Sequence, residues 1–230
     1  MNNIAMQLRK CCNHPFLLDN VETIERESGI CKDMSELQSL IETSGKISFL
    51  DKMLPKLRDE GHRVLIFSQM TRMLNILEDY LRLRSFGYER IDGNVQGNER
   101  QNAIDRFNGK NSKSFVFLIS TKAGGVGINL TTADTVVIYD SDWNPQNDLQ
   151  AMARCHRIGQ KSQVSVYRLL SRKTYEMAMF ERASMKLGLD RAVLHGVTNK
   201  RRGSAMSKEE MEKLLKHGAY HAIKGDDIGE

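Results

Sequence analysis

Five short apolar runs, each bounded by polar turns, mark the middle of the chain: Arg63–Ser68, Tyr88–Asp92, Phe115–Ser120, Thr135–Asp140 and Val164–Leu170. They are rich in Val, Ile, Phe and Tyr, as buried parallel strands are. Helical patterns lie between them, including Leu74, Ile76, Leu77, Tyr80 and Leu81, and then Ile104 and Phe107. Strands alternating with helices predict βαβ units, hence an α/β fold with an open parallel sheet covered by helices on both faces. Right-handed crossovers gather the C-terminal ends of such strands along one edge, where ligands of open sheets bind. Polar and Gly-rich segments fall at those ends: Ser68-Gln69, Asp92-Gly93, Ser120 to Asn129, and Asp140 to Gln146.

The pattern changes on either side of this region. Residues 1–44 read as a polar, broken lead-in with a short helical pattern around Ile4–Leu8. Residues 45–195 carry the strand-and-helix rhythm. Residues 196–230 are highly charged, with a basic linker at Lys200, Arg201, Arg202 and Gly203 and a short helical pattern after it. No internal repeat or low-complexity tract interrupts the chain.

Composition sharpens this only in places. Of 230 residues, 40% are hydrophobic, enough for a sizeable core. No apolar run is long enough to cross a bilayer, and the start lacks a charged-then-apolar signal pattern, so cytosol or nucleus is expected. Cys11, Cys12, Cys31 and Cys155 have no framework spacing, which suits a reducing compartment. The formal charge of +5 and pI of about 9.0 lean towards a polyanionic partner without naming one.

Two constellations carry chemistry. In Ser120-Thr121-Lys122-Ala123-Gly124-Gly125-Val126-Gly127-Ile128-Asn129, three glycines in four residues let backbone amides approach a phosphate or sugar where a Cβ would collide. A loop whose glycines merely serve tight turns would look the same. The second is Gln150-x3-Arg154-x-His156-Arg157-x-Gly159-Gln160, after Asn144-Pro145-Gln146. Asn144 and Pro145 suggest a helix start, with Asp148 in its first turn. Gln150, Arg154 and Arg157, spaced i, i+4 and i+7, would share one face of that helix, which Gly159 would end. Two guanidiniums and an amide on one stripe suit a multiply charged phosphate chain, because each guanidinium can donate two parallel hydrogen bonds to phosphate oxygens. Two arginines alone would read as a solvated polar face; the glycine loop one strand earlier favours the phosphate reading.

Other segments invite chemistry and fail on spacing. Cys11-Cys12-x-His14 has no second ligand pair at zinc-finger distance, and His217 and His221 have Gly218 where a zinc protease helix needs Glu. No metal site is expected. Ser44-Gly45-Lys46 resembles the end of a phosphate loop, but position 40 is Leu and Ile47 replaces the Ser or Thr. No Asp-Glu pair closes a strand to hold magnesium. The main nucleotide site is therefore expected outside this chain.

The string Gln150 to Gln160 resembles motif VI of superfamily-two helicases, in the form used by SWI/SNF-type remodelling ATPases. Ser120–Thr131 resembles motif V, Val64-Leu65-Ile66-Phe67-Ser68-Gln69-Met70 resembles motif IV, and Asp140-Ser141-Asp142-Trp143-Asn144-Pro145 is similar to the segment between V and VI. Arg9-Lys10-Cys11-Cys12-Asn13-His14-Pro15 resembles the approach to the second lobe. Arg154-Cys155-His156, Tyr175-Glu176-x-Ala178-Met179-Phe180 and Ala183-Ser184-x-Lys186-Leu187-Gly188-Leu189-Asp190 resemble the chromodomain-helicase-DNA-binding subfamily, best its Kismet-like branch. Ser207–Tyr220 resembles the regulatory extension that follows the motor in these and imitation-switch proteins.

The resemblance implies a second RecA-like lobe with a helical C-terminal extension. ATP and Mg2+ would be held mainly by a first RecA-like lobe of the same polypeptide, absent here, and the isolated chain would be inactive. Arg154 and Arg157 would be arginine fingers, and Gln150 would touch the phosphate or the opposing acidic motif. Gly125, Gly127 and Asn129 would lie near the ribose and the cleft. Ser68, Gln69, Thr121 and Lys122 would touch the DNA backbone, while Trp143 is either a coupling residue or a buried anchor. Double-stranded DNA and nucleosomes are the implied partners, with no membrane, and the nucleus the implied location. Two rivals remain at this point: another superfamily-two motor, such as an RNA helicase or DNA-repair translocase, and a non-catalytic docking module for DNA or histones.

Overall fold

A computed structural model of the chain describes residues 4–95, 97–123, 128–155, 160 and 162–185. The chain divides into two compact units, Met1–Met179 and Phe180–Glu230. Residues 180–185 of the second are described and are helical. The expected extension over 196–230 lies outside the described residues.

In the first unit the elements run α1 (Ile4–Asn13), a 3-10 turn (Pro15–Leu17), α2 (Val21–Glu27), α3 (Glu36–Glu42), α4 (Gly45–Asp59), β1 (Val64–Ser68), α5 (Thr71–Leu83), β2 (Tyr88–Ile91), α6 (Gly97–Asn108), β3 (Val116–Ser120), β4 (Thr135–Ile138), α7 (Pro145–Met152) and β5 (Ser165–Arg168). All five apolar runs are strands. They form one parallel sheet in the order β2-β3-β1-β4-β5. This is the RecA-like arrangement that was expected.

The strands serve two faces with a period of two. Val64, Ile66, Val116, Leu118 and Val137 join one core cluster with Leu50 and Leu54 of α4 and Leu74 and Leu77 of α5. Leu65, Phe67, Phe117, Ile119, Val136 and Ile138 join the other with Ala103, Ile104 and Phe107 of α6 and Ala151 of α7. Helices therefore cover both faces. The lead-in is built into the first cluster: Phe16, Leu17, Cys31 and Leu40 are buried there. Its helices use local signals, since Ser35 and Gln38 form a reciprocal capping box at the start of α3.

The terminal strand β5 departs from the reading of Val164–Leu170 as buried. Val166 and Tyr167 are 44% and 37% exposed. As the last strand in the order, β5 has a neighbour on one side only among the described residues, and its apolar composition does not report that position.

Register fixes what shares the C-terminal edge. Ser68 lies opposite Ser120, and Phe67 opposite Ile138, with the Tyr139 N–H continuing the ladder to the Phe67 carbonyl at 2.9 Å. The turns after β1, β3 and β4 thus emerge side by side.

Candidate functional site

At the C-terminal edge, the turns after β1 and β4 are joined by one carboxylate. Asp140 is 1% exposed. Its Oδ1 accepts from the Ser68 hydroxyl at 2.6 Å and the Gln69 N–H at 3.1 Å, and its Oδ2 faces the Arg9 guanidinium at 3.5 Å. Burial is the largest influence on this carboxyl and pushes its pKa up, while the Ser68 hydroxyl, Lys46, the Gln69 N–H and Arg9 pull it down. Ser68 Oγ also accepts from the Met70 N–H at 3.2 Å, and the Ser68 carbonyl accepts from the Thr121 N–H at 3.0 Å. One buried cluster therefore sets the β1, β3 and β4 turns together.

The next residues are fixed in turn. Asp142 Oδ1 accepts from the Asn144 N–H at 2.8 Å and Oδ2 from Asn147 Nδ2 at 3.1 Å. Asn144 caps α7, accepting from the Gln146 N–H, with Pro145 at the first helical position, as the sequence suggested. Asp148 in the first turn is buried. It accepts from the Asp142 N–H at 3.2 Å and pairs with Arg168, which also donates to Ser141 Oγ at 2.7 Å. Between these anchors Trp143 is 47% exposed, which excludes the buried-anchor reading. Its ring meets Tyr175 edge-on at 5.9 Å, and the Arg9 guanidinium carbon lies 5.9 Å from its centroid.

The sequence-predicted DNA-facing residues gather here with unequal access. Ser68 is wholly buried and its hydroxyl is spent on Asp140, so it shapes the turn from within. Thr121 is buried, while Lys122 and Trp143 are exposed. Gln69 is half-buried, and its Nε2 is buried with no partner among the described residues. The Ala123 carbonyl accepts from Arg100 at 2.5 Å, which ties the start of the glycine segment to α6.

A second group lies towards the opposite edge. The Asn129 carbonyl accepts from Asn108 Nδ2 at 2.9 Å, at the C-terminal end of α6. Asn129 itself is exposed. Gln150 is exposed and Arg154 half-buried. The expected single helix from Gln150 to Gly159 is corrected: α7 ends at Met152. The N–H groups of Arg154 and Cys155 reach back only three residues, to Ala151 and Met152, at 3.1 and 3.2 Å. Tertiary anchors are associated with this tightening. The Cys155 thiol and the Gln160 amide both donate to the Ala133 carbonyl at 2.7 Å, just ahead of β4. Burial pushes the Cys155 thiol up to about 12, so it acts as a neutral donor. Cys155 and Gln160 thus meet on one carbonyl. Arg157, Gly125 and Gly127 lie outside the described residues.

Sequence reasoning missed several members. Lys46, the lysine of the phosphate-loop look-alike, is 6% exposed and donates to Asn13 Oδ1 at 2.9 Å, to the Tyr139 carbonyl at 2.8 Å and to Glu176 Oε1. Ser44 and Gly45 are simply the N-cap and first residue of α4. A lysine with three internal acceptors leaves nothing for a phosphate. His14, the other decoy, accepts from the Phe16 N–H through Nδ1 and meets the Leu40 carbonyl through Nε2, and burial holds it neutral with a pKa lowered to about 4. Both ring nitrogens serve the fold. Arg9 and Glu176 stand in segments that carry the resemblance, yet their roles here, like that of Arg168, were not readable, because the partners are far away in sequence.

The description of helicase conserved C-terminal domains matches residues 45–159 of the chain. Human chromodomain-helicase-DNA-binding protein 7 is 54% identical over 98% of this chain and 8% of its own length. Human chromodomain-helicase-DNA-binding protein 8 is 56% identical over 98% of this chain and 9% of its own length. The chain therefore spans less than a tenth of these relatives. Among solved structures, the C-terminal part of the Fun30 ATPase domain superposes with a TM-score of 0.67 at 33% identity, covering 79% of this chain and 71% of that one.

Proposed function

The chain belongs to the helicase conserved C-terminal domain family, in its chromodomain-helicase-DNA-binding subfamily, and from this premise we propose that it is the second motor lobe of a nuclear, ATP-driven double-stranded DNA translocase that remodels nucleosomes. One observation carries the reading. Two groups of candidate residues are segregated: Gln69, Thr121, Lys122 and Trp143 at the C-terminal edge, Asn129 and Arg154 towards the other. The helix α7 runs between them. Eight residues of α-helix span about 12 Å, so α7 is a short rigid rod between the groups.

In this reading the first lobe holds ATP and Mg2+, consistent with a Lys46 that is fully engaged inside the fold. ATP and Mg2+ supply the phosphoryl chemistry. Arg154 and Arg157 bring positive charge to the γ-phosphate as the lobes close, Gln150 orients beside them, and Gly125, Gly127 and Asn129 border the ribose. Phosphoryl transfer depends mostly on positioning and charge, so guanidiniums delivered on closure suffice as this lobe's share. At the other group, Lys122 and Gln69 grip the backbone of one strand. Ser68 and Thr121 hold the shape of that grip. Backbone contacts suit an enzyme that moves along any sequence.

The test is ATPase activity of the intact two-lobe protein with naked DNA and with nucleosomes. Stimulation by both, larger with nucleosomes, is expected, with binding that is indifferent to sequence and weakens steeply with salt. Stimulation by RNA alone would favour an RNA helicase, and no stimulation by any nucleic acid would favour a docking module.

A further inference from the structure

Arg9 is a charged residue of the lead-in helix α1, yet it is only 6% exposed. Among the described residues its polar partners lie about 130 residues away, on the turn after β4. It donates to the Ser141 carbonyl at 2.9 Å and pairs with Asp140 Oδ2 at 3.5 Å. Its guanidinium carbon stands 5.9 Å from the centre of the Trp143 ring. A guanidinium can bond in its plane while its face meets an aromatic ring, which a lysine ammonium cannot do with one geometry. One residue thus holds the carboxylate that sets the β1 turn, the backbone that begins the Trp143 turn, and the ring itself.

Trp143 needs such a hold. It is 47% exposed, so packing alone does not fix its rotamer, and Tyr175 provides one aromatic neighbour. The lead-in is also where force from a preceding lobe would enter this one. We propose that Arg9 is a positioning residue that orients the Trp143 turn, so that ATP turnover moves DNA only while α1 and this turn are engaged. The proposal rests on the motor reading above.

Trp143 is the only tryptophan in the chain, so its emission and its quenching by acrylamide report the turn directly. Arg9→Lys keeps a cation beside Asp140 and loses the flat guanidinium. In the 230-residue chain it should raise quenching by about twofold or more while leaving the melting temperature within a few degrees of wild type. In the intact two-lobe motor it should leave kcat for ATP within about twofold of wild type and cut DNA movement per ATP several-fold. Arg9→Met should act in the same direction and further. Leu77→Ala, a truncation in the core of α5, is the control: it should lower the melting temperature with quenching and movement per ATP unchanged. If Arg9→Lys behaves like Leu77→Ala, Arg9 is structural only and the proposal falls. If the wild-type protein lacks DNA-stimulated ATPase, the motor reading falls instead, and the tryptophan measurement still decides whether Arg9 sets the turn.

Discussion

Replacing Lys46 with methionine removes a buried ammonium while keeping a similar unbranched stem. Three acceptors lose their donor at once: Asn13 Oδ1, the Tyr139 carbonyl and Glu176 Oε1. The two side chains of the ion pair are 5% and 3% exposed, so water does not replace what is lost. Removing one partner of a buried pair costs about 3–5 kcal/mol, chiefly because the remaining charge stays buried. Glu176 keeps the Ser171 N–H at 2.9 Å on its other oxygen, which offsets part of that. The two neutral acceptors then add about 1 kcal/mol or more each. A loss near 4 kcal/mol is therefore expected, which for a domain of this size lowers the melting temperature by roughly 8–16 °C. Urea unfolding and thermal melting followed by circular dichroism measure it. Lys46→Met/Glu176→Leu removes both charges and should recover at least half of the loss. A Lys46→Met cost below about 1 kcal/mol, the range of a solvent-exposed pair, would refute the reasoning. So would a double variant no more stable than the single one. A phosphate-binding lysine predicts the opposite pattern, with stability kept and nucleotide affinity lost.

Two further outcomes follow from other residues. In the intact motor, Arg157→Lys should cut kcat on the order of a thousandfold with nucleotide affinity and melting unchanged, because lysine keeps the charge and loses the fork; near wild-type turnover would sink the finger assignment. His14 is neutral in the fold with a pKa lowered to about 4, against 6.5 ordinarily, so between these values the unfolded chain binds the extra proton. Its contribution is present above about pH 6.5 and is lost as pH falls towards 4, by about 3 kcal/mol. The difference in unfolding free energy between pH 7 and pH 4.5 should shrink in His14→Gln, whereas an equal difference in both proteins would show that His14 is not its source.

The centre of the sheet was legible in the sequence because β1, β3 and β4 are buried on both faces and read as apolar runs, whereas the edge strands β2, with Glu89 and Arg90, and β5 are only partly covered. The strands' ends follow from crossover handedness, which is why the sequence alone puts Ser68, Thr121 and Trp143 on one edge. Side-chain partners across the sheet were not legible. Ser44-Gly45-Lys46 looks like a phosphate loop locally, and only Asn13, Tyr139 and Glu176, folded around it, give Lys46 its occupation. The i, i+4, i+7 spacing of Gln150, Arg154 and Arg157 is compatible with a helix, yet Cys155 and Gln160 are drawn to Ala133 and the chain leaves the helix after Met152. Trp143 could be read as buried or exposed with equal reason, since its surroundings come from Arg9 and Tyr175. Periodicity reports which face a residue is on, and is silent about which distant residue it meets there.

The reach of Lys46 to Glu176 has a consequence in time. During synthesis at about 5–20 residues per second, roughly 7–26 seconds pass between the two being added, with Lys46 waiting in water for its counter-charge. Arg9 waits as long for Asp140. The first helices therefore leave the ribosome without the charges that anchor them, and the region matched as residues 45–159 includes neither Arg9 nor Glu176. A ribosome stalled after β3 would hold a chain that has Arg9 and Lys46 and lacks Asp140 and Glu176. Such a chain should remain open to proteases at α1 until residue 176 has emerged, which makes the end of this lobe the timer for its beginning.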